Sequence, residues 1–359
     1  MDANVIDTGI HQWTFGPNLL RVRDRLSPEQ FYRQAMIDRN EERPGPLSGT
    51  LMPTLPGYHA YWNEDAPGET DPAPGDKYSS PDWMDERLEK RDVDVAILGG
   101  HEIQFLPGLL EPGYKAQLCS VYNDLLLEEW VAQSPRFKAA VVVSPDDPEG
   151  AVQEIRRHAD HDDVVTVTVF SGDRLPLGHP QLFPIYEAIE KAGVPLTIYT
   201  SGNPVHRQTA LGQPDHFVTR DVNLVQNHMV NLANMLLNGV FAEFPDLEVV
   251  WAGEGAEWAV HTMWRTTRYY REFKPMVPYE LPKSPEKYVK DRCYFTTYPL
   301  GRIEPEVRSD IYNMIGPENV LYASGYPRWD HDSAADIEEL PEGTRERILS
   351  ENARDLYGL

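Results

Sequence analysis

Chemically useful side chains recur in this chain just beyond apolar runs. His11 follows "NVIDTGI" and can take or give a proton near neutral pH; its plainer role is a hydrogen-bonded imidazole at a strand end. His101 and Glu102 follow "VDVAILGG". They can form an acid–base pair or a metal site, or be an ordinary surface loop. Tyr199 in "PLTIYTSG" can donate a hydrogen bond to a substrate oxygen or fill a void with its ring, and the two roles are compatible. Glu254 follows "LEVVWAG". It can supply a carboxylate, but one step along a strand turns a side chain to the opposite face, so it is expected to face away. In "ASGYPRWDHD" (323–332), Arg328 can grip a carboxylate with its planar fork or pair with Asp330 or Asp332. Tyr326 and Trp329 offer aromatic surface beside it. Ser144, Ser171, Thr200, Thr297 and Tyr298 occupy comparable strand-end positions.

These positions need strands that end together. Strands are expected at 4–10, 93–100, 137–144, 164–170, 195–202, 247–253, 293–298 and 318–324, with helical segments between them. The runs are apolar on both faces, as parallel strands covered by helices must be. This alternation predicts a single-domain (β/α)₈ barrel over 1–359, in which chemistry sits at the C-terminal strand ends. A doubly wound open sheet is disfavoured because no glycine-rich phosphate loop follows the first strand. A capped helix is expected at 27–40, with Ser27 as N-cap and Pro28 at the first turn. Residues 41–80 are rich in Pro, Gly, Asp and Glu and form an insertion or lid. Its His59, Tyr61 and Trp62 are expected to cap the barrel or to pack against another subunit. Asp221 and His228 share a helix face that packing and capping explain. Met263–Trp264 and Tyr269–Tyr270 read as core and barrel-wall packing.

Composition bounds the partners. The chain has 359 residues with 57 acidic against 33 basic side chains, a net charge of −24. Such a surface repels phosphate backbones and anionic membranes, so nucleic acid and membrane partners are not expected, and any anion site needs a local Arg or Lys. No apolar run is long enough to span a bilayer, and the N-terminal residues do not read as a secretory leader. Cys119 and Cys293 are far apart and make no metal or redox pair. A cytoplasmic location is expected.

The stretches "DDPEGAVQEIRR", "LGHPQLFPIYEAIEKAGVPLTIYTSG", "NGVFAEFPDLEVVWAGEGAEW", "MWRTTRYYRE", "YFTTYPL", "LYASGYPRWDHDS" and "SENARDLYGL" resemble the amidohydrolase-related family. That is the branch of aminocarboxymuconate-semialdehyde decarboxylase and the aromatic acid decarboxylases. The resemblance covers nearly the whole chain apart from 41–80. It implies a metal-dependent hydrolase or decarboxylase on a (β/α)₈ barrel, with a divalent metal, often zinc, at the mouth. The ligands it implies are an acidic residue or His two before a His after strand one, a His after strand five, often a His or Glu after strand six, and an Asp after strand eight. Carried over, the His after strand one is His11 and the residue two before it is Gly9, with Asp7 one step deeper. The strand-five position is Tyr199, the strand-six position Gly253 and the strand-eight position Gly325; a family His that follows is Arg328. Only His11 remains of the implied set, and one imidazole does not hold zinc alone.

No cofactor is therefore expected, and zinc or manganese only at a relocated site. One reading is a divergent hydrolase or carbon–carbon lyase acting on a small organic or aromatic acid. Arg328 would anchor the acid, His11 would move protons and Tyr199 would orient an oxygen, with His101, Glu102, Glu254, Tyr326, Trp329, Tyr61 and Trp62 lining the pocket. A second is a non-catalytic subunit paired with an intact family barrel, since glycine does no proton chemistry. A third is a small-molecule binding module. A homo- or hetero-oligomer is expected.

Overall fold

The computed structural model describes residues 5–14, 25, 80–109, 111–172, 174–201, 217–300, 303–328 and 330–359; the side chains of 102, 105 and 217–221 are not included. The helix at 27–40, nearly all of the 41–80 insertion with His59, Tyr61 and Trp62, and Trp329 lie outside the described residues.

Eight parallel strands follow one another around a barrel: β1 (Ile6–Ile10), β2 (Val95–Leu98), β3 (Phe137–Val142), β4 (Val164–Ser171), β5 (Leu196–Thr200), β6 (Val249–Ala252), β7 (Cys293–Thr296) and β8 (Val320–Leu321). Each strand pairs with the next in sequence. β1 and β8 meet just past the ladder, where Tyr322 O accepts from Thr8 N at 3.0 Å, Gly9 O from Gly325 N at 3.1 Å and Tyr326 O from His11 N at 2.8 Å. That seam sets Gly9 and His11 beside the loop that begins at Gly325. All eight residues of β4 are buried, as expected of a strand with barrel interior on one face and helices on the other.

The helices start where proline and a capping side chain coincide. Ser80 accepts from Trp83 N ahead of α1 (Pro81–Glu89), and Asp147 accepts from Gly150 N ahead of α3 (Pro148–His158), which follows α2 (Pro112–Leu125). Each cap satisfies an amide that has no helical partner, and proline at the first turn has none to waste. α4 (Phe183–Ala192) stops at Gly193, whose φ of 68° admits only a residue without Cβ strain. Between β5 and β6, among the described residues, lie two helices, α5 (Phe217–Leu237) and α6 (Val240–Glu243), separated at Gly239 with φ 75°. After α7 (Glu257–Phe273), the proline-rich stretch holds a further helix, α8 (Pro285–Arg292), capped by Ser284. α9 (Pro305–Ile315), α10 (Glu342–Glu346) and α11 (Asn352–Tyr357) complete the chain. Tyr357 packs against Ile97, Ala140 and Val165 inside the barrel.

One expectation about the wall is corrected. On α7, Met263 and Tyr270 are buried, but Trp264 and Tyr269 are 52% and 42% exposed, because the core-facing stripe runs through 259, 263, 266 and 270. His228 on α5 is fully buried, the packing role expected of it. Its Nε2 lies 3.1 Å from Ala252 O and its ring packs on Trp251 and Trp258. Among the described residues no helix is long and apolar enough to cross a membrane.

Candidate functional site

Tyr199 stands in the middle of the barrel mouth. Its ring occupies space that three glycines leave open. A Cβ on Gly99 would meet its Oη at 3.2 Å, one on Gly253 its Cδ1 at 3.3 Å, and one on Gly9 its Oη at 3.7 Å. Oη donates a long hydrogen bond to Thr8 O at 3.4 Å, and burial raises the phenol's pKa, so it remains a neutral donor. The void-filling role is therefore the one the geometry displays. Gly325 has a matching explanation. Its φ is 74°, and a Cβ there would fall 2.5 Å from Cε2 of the buried Tyr298 ring.

His11 is buried beside this ring, edge-on at a centroid distance of 5.5 Å. Gln104 Nε2 lies 2.8 Å from His11 Nδ1 and 3.0 Å from Gly100 O. An amide nitrogen only donates, so both of its protons are used, Nδ1 accepts, and the imidazole proton sits on Nε2. Nδ1 is also 3.3 Å from Gly100 O, but that carbonyl is already bonded by the same amide, and the shorter contact decides the tautomer. Burial, helped by the charge of nearby Arg328, pushes His11 down to about 3. It is a neutral hydrogen-bond donor at physiological pH.

Arg328 lies at the same mouth. Its guanidinium carbon is 5.3 Å from the Tyr298 ring centroid, and its Nε is 3.4 Å from Asp330 Oδ1, which also accepts from Tyr298 Oη at 2.7 Å. Of the two acidic partners expected for it, Asp330 is the one that pairs; Asp332 instead accepts from Leu300 N at 2.8 Å. Glu254 lies just past β6, between Gly253 and Gly255, whose φ angles are 89° and 67°. It is buried, accepts from Thr200 Oγ1, and helps raise the Tyr298 phenol after burial, Asp330 and Asp332.

The other candidates divide. His101 is buried and stacked on Trp13 at 5.1 Å, so it is not a surface loop residue. Glu102 begins a 3-10 turn, Glu102–Gly108. Tyr326 is buried away from the mouth, stacked on Trp83 at 6.3 Å and under Arg91 at 4.7 Å. Ser144 and Ser171 are buried, and their hydroxyls have no hydrogen-bond partner among the described residues. Gln104, which fixes the tautomer of His11, is a residue that strand-end reasoning misses, because it lies within the turn rather than at its start.

Among the described residues, donors at this place are few. Asp7 Oδ1 accepts from Gly9 N at 3.1 Å and Ser324 N at 3.0 Å, and burial raises its pKa. Gly9, Gly253 and Gly325 offer no side-chain donor; the Tyr199 ring lies against the first two and the Tyr298 ring against the third. Among the described residues, no group of three or more His, Cys, Asp or Glu is arranged to hold a metal ion.

Comparison with known proteins places this geometry. The amidohydrolase family matches residues 59–359. A gamma-resorcylate decarboxylase of Rhizobium sp. is 25% identical over 307 residues, covering 80% of this chain and 92% of that one. Among solved structures, an amidohydrolase of Mycobacterium avium subsp. paratuberculosis aligns over 100% of both chains at 18% identity with a TM-score of 0.70. A 5-carboxyvanillate decarboxylase of Novosphingobium aromaticivorans, complexed with manganese and a nitrobenzoic acid, aligns over 77% of this chain and 79% of that one at 20% identity, TM-score 0.64. These structural likenesses support the barrel fold.

Proposed function

The chain belongs to the amidohydrolase family, and from that premise we propose that it is a carbon–carbon lyase of the decarboxylase branch, acting on a small aromatic acid without a metal at the usual place. The gamma-resorcylate decarboxylase described above is aligned over 92% of its length. The observation that carries the proposal is the pairing, at one mouth, of the cation Arg328 with a histidine held neutral beside it. In an otherwise acidic chain this is a site for a carboxylate. Manganese is bound in the 5-carboxyvanillate decarboxylase; the ligand positions that the resemblance implies hold Gly9, Tyr199, Gly253 and Gly325 in this chain, and on that reading we assign the charge-stabilising work to Arg328.

The chemistry asks for little more. Loss of CO₂ from a hydroxylated benzoate needs a proton on the ring carbon that bears the carboxylate. The carbon–carbon bond then breaks, and its electron pair restores the aromatic ring. Arg328 would hold the carboxylate, and His11 would donate its Nε2 proton in a hydrogen bond. With its pKa near 3, His11 is a poor deliverer of protons at neutral pH. The ring proton would instead come from water admitted with the substrate, the hydroxide left behind being taken up by the released CO₂ as bicarbonate. The single domain, its lid at 41–80, an oligomeric assembly and a cytoplasmic location remain parts of the same proposal.

The test is carbon dioxide release from 2,6-dihydroxybenzoate and related hydroxybenzoates by protein stripped with chelator. Turnover that survives chelation and falls about 10²-fold or more in Arg328→Ala is the expected result, the scale of one lost charge-stabilising donor. Zinc or manganese bound at about one per chain and required for turnover would overturn the metal-free assignment. A second reading, a structural subunit beside an intact family barrel, is favoured by one observation, the filling of the mouth by Tyr199. Co-purification with such a barrel and no turnover alone would select it.

A further inference from the structure

Away from the mouth, on the β1–β8 side of the barrel, the chain leaves a groove of about 490 Å³. Its walls include residues before β1 and β2 (Val5, Arg91) and the C-terminal segment (Arg345, Leu349), with Tyr322 at its back. The volume suits a small organic ligand rather than a water cluster. Val5 and Tyr322 are buried apolar surface there.

The two arginines decide what the ligand is. The chain has 57 acidic side chains against 33 basic ones, so a cation near the surface ordinarily meets a carboxylate. Arg91 and Arg345 do not: among the described residues neither forms an ion pair. Arg91 donates to Asp332 O at 3.0 Å and lies over the Tyr326 ring, and Arg345 reaches Glu338 O at 3.5 Å. Asp92 and Glu338, also on the groove, are exposed at its rim. Two guanidinium groups whose hydrogen bonds among the described residues go to carbonyls retain N–H donors that match the geometry of a carboxylate.

We propose that this groove is a second binding site, for a small organic carboxylate, with the acid on Arg91 and Arg345 and the apolar body against Val5, Tyr322 and Leu349. The proposal is independent of any chemistry at the mouth. Arg91 nevertheless links the two places, since it packs on Tyr326, whose carbonyl oxygen holds the His11 amide at 2.8 Å.

Calorimetric titration of sodium benzoate and of sodium phosphate into the whole chain tests it, using wild type, Arg328→Ala, Arg345→Glu and Arg345→Ala. Arg328→Ala removes the mouth's cation and leaves the groove intact. The expected result is benzoate binding that persists in Arg328→Ala and weakens about tenfold or more in Arg345→Glu, with Arg345→Ala showing a smaller loss in the same component. Arg345 is half-buried and among the described residues bonds a carbonyl alone, so the Ala variant keeps the test alive if charge reversal disturbs folding. Benzoate affinity unchanged in both Arg345 variants, or absent in Arg328→Ala, overturns the proposal. Phosphate binding as tightly as benzoate overturns the organic-acid assignment, because the apolar wall then contributes nothing.

Discussion

Placing at position 325 the carboxylate that the family resemblance implies, by Gly325→Asp, should destabilise the protein. Two costs add. The backbone at 325 has φ 74°, a left-handed conformation that costs a residue with a Cβ about 1–2 kcal/mol, least for Asp and Asn. The new Cβ would also fall 2.5–2.7 Å from three atoms of the Tyr298 ring. That ring is buried and tied to Asp330 through its hydroxyl at 2.7 Å, so it cannot swing aside freely. Overpacking of this kind costs about 1–3 kcal/mol. The sum, about 2–5 kcal/mol, is a large share of the roughly 5–15 kcal/mol that holds a folded domain. Urea unfolding of wild type, Gly325→Asp, Tyr298→Ala and the double variant measures it. The double variant should lose less than the two single losses added together, because the smaller side chain removes the clash. Gly325→Asp as stable as wild type to within about 0.5 kcal/mol would refute the steric account, as would strict additivity in the cycle.

The other positions give smaller or pH-dependent effects. Gly9→Ala places a Cβ 2.9 Å from Ala323 Cβ without left-handed strain, and should cost about 1–2 kcal/mol in the same unfolding assay. Asp332, raised to about 7 by burial and then by Asp336 and Asp330, keeps its proton in the native state between about pH 4 and 7 while the unfolded chain has lost it. Stability should therefore fall as pH rises through that window, and Asp332→Asn should flatten this limb in denaturation curves taken from pH 4 to 8. His11 and His228, lowered to about 3 and about 4 by burial, act with the opposite sign. Below pH 6.5 the unfolded chain binds protons that the native state refuses, so stability should drop as pH falls from 6.5 toward 4. His228→Gln should remove its part of that loss without touching the mouth.

The barrel is legible in the sequence because apolar runs and proline-led caps mark its elements locally. Ser80–Pro81 and Asp147–Pro148 announce helices, and the same signal at Ser284–Pro285 marks α8 inside a stretch whose prolines otherwise read as loop. Trp264 and Tyr269 could not be placed from periodicity alone: a helix rich in aromatics on both faces does not say which face is wet. The backbone around Glu254 was hidden for a different reason. Gly253 and Gly255 both take positive φ angles, and sequence reveals that glycine permits such angles, not that the chain uses them.

The candidate site exposes the deeper limit. The resemblance implies ligands at positions 9, 253 and 325, where this chain has glycine, but it does not say what stands beside them. Tyr199 and Tyr298 reach those glycines from elsewhere in the barrel. The glycines and the tyrosines are therefore one packing arrangement. A single carboxylate or imidazole introduced at 253 or 325 meets a ring where it needs space, so it would require Tyr199 or Tyr298 to be shrunk first. In that sense Arg328 and neutral His11 are not remnants around a hole. They border a filled mouth whose remaining polar groups face whatever acid it receives.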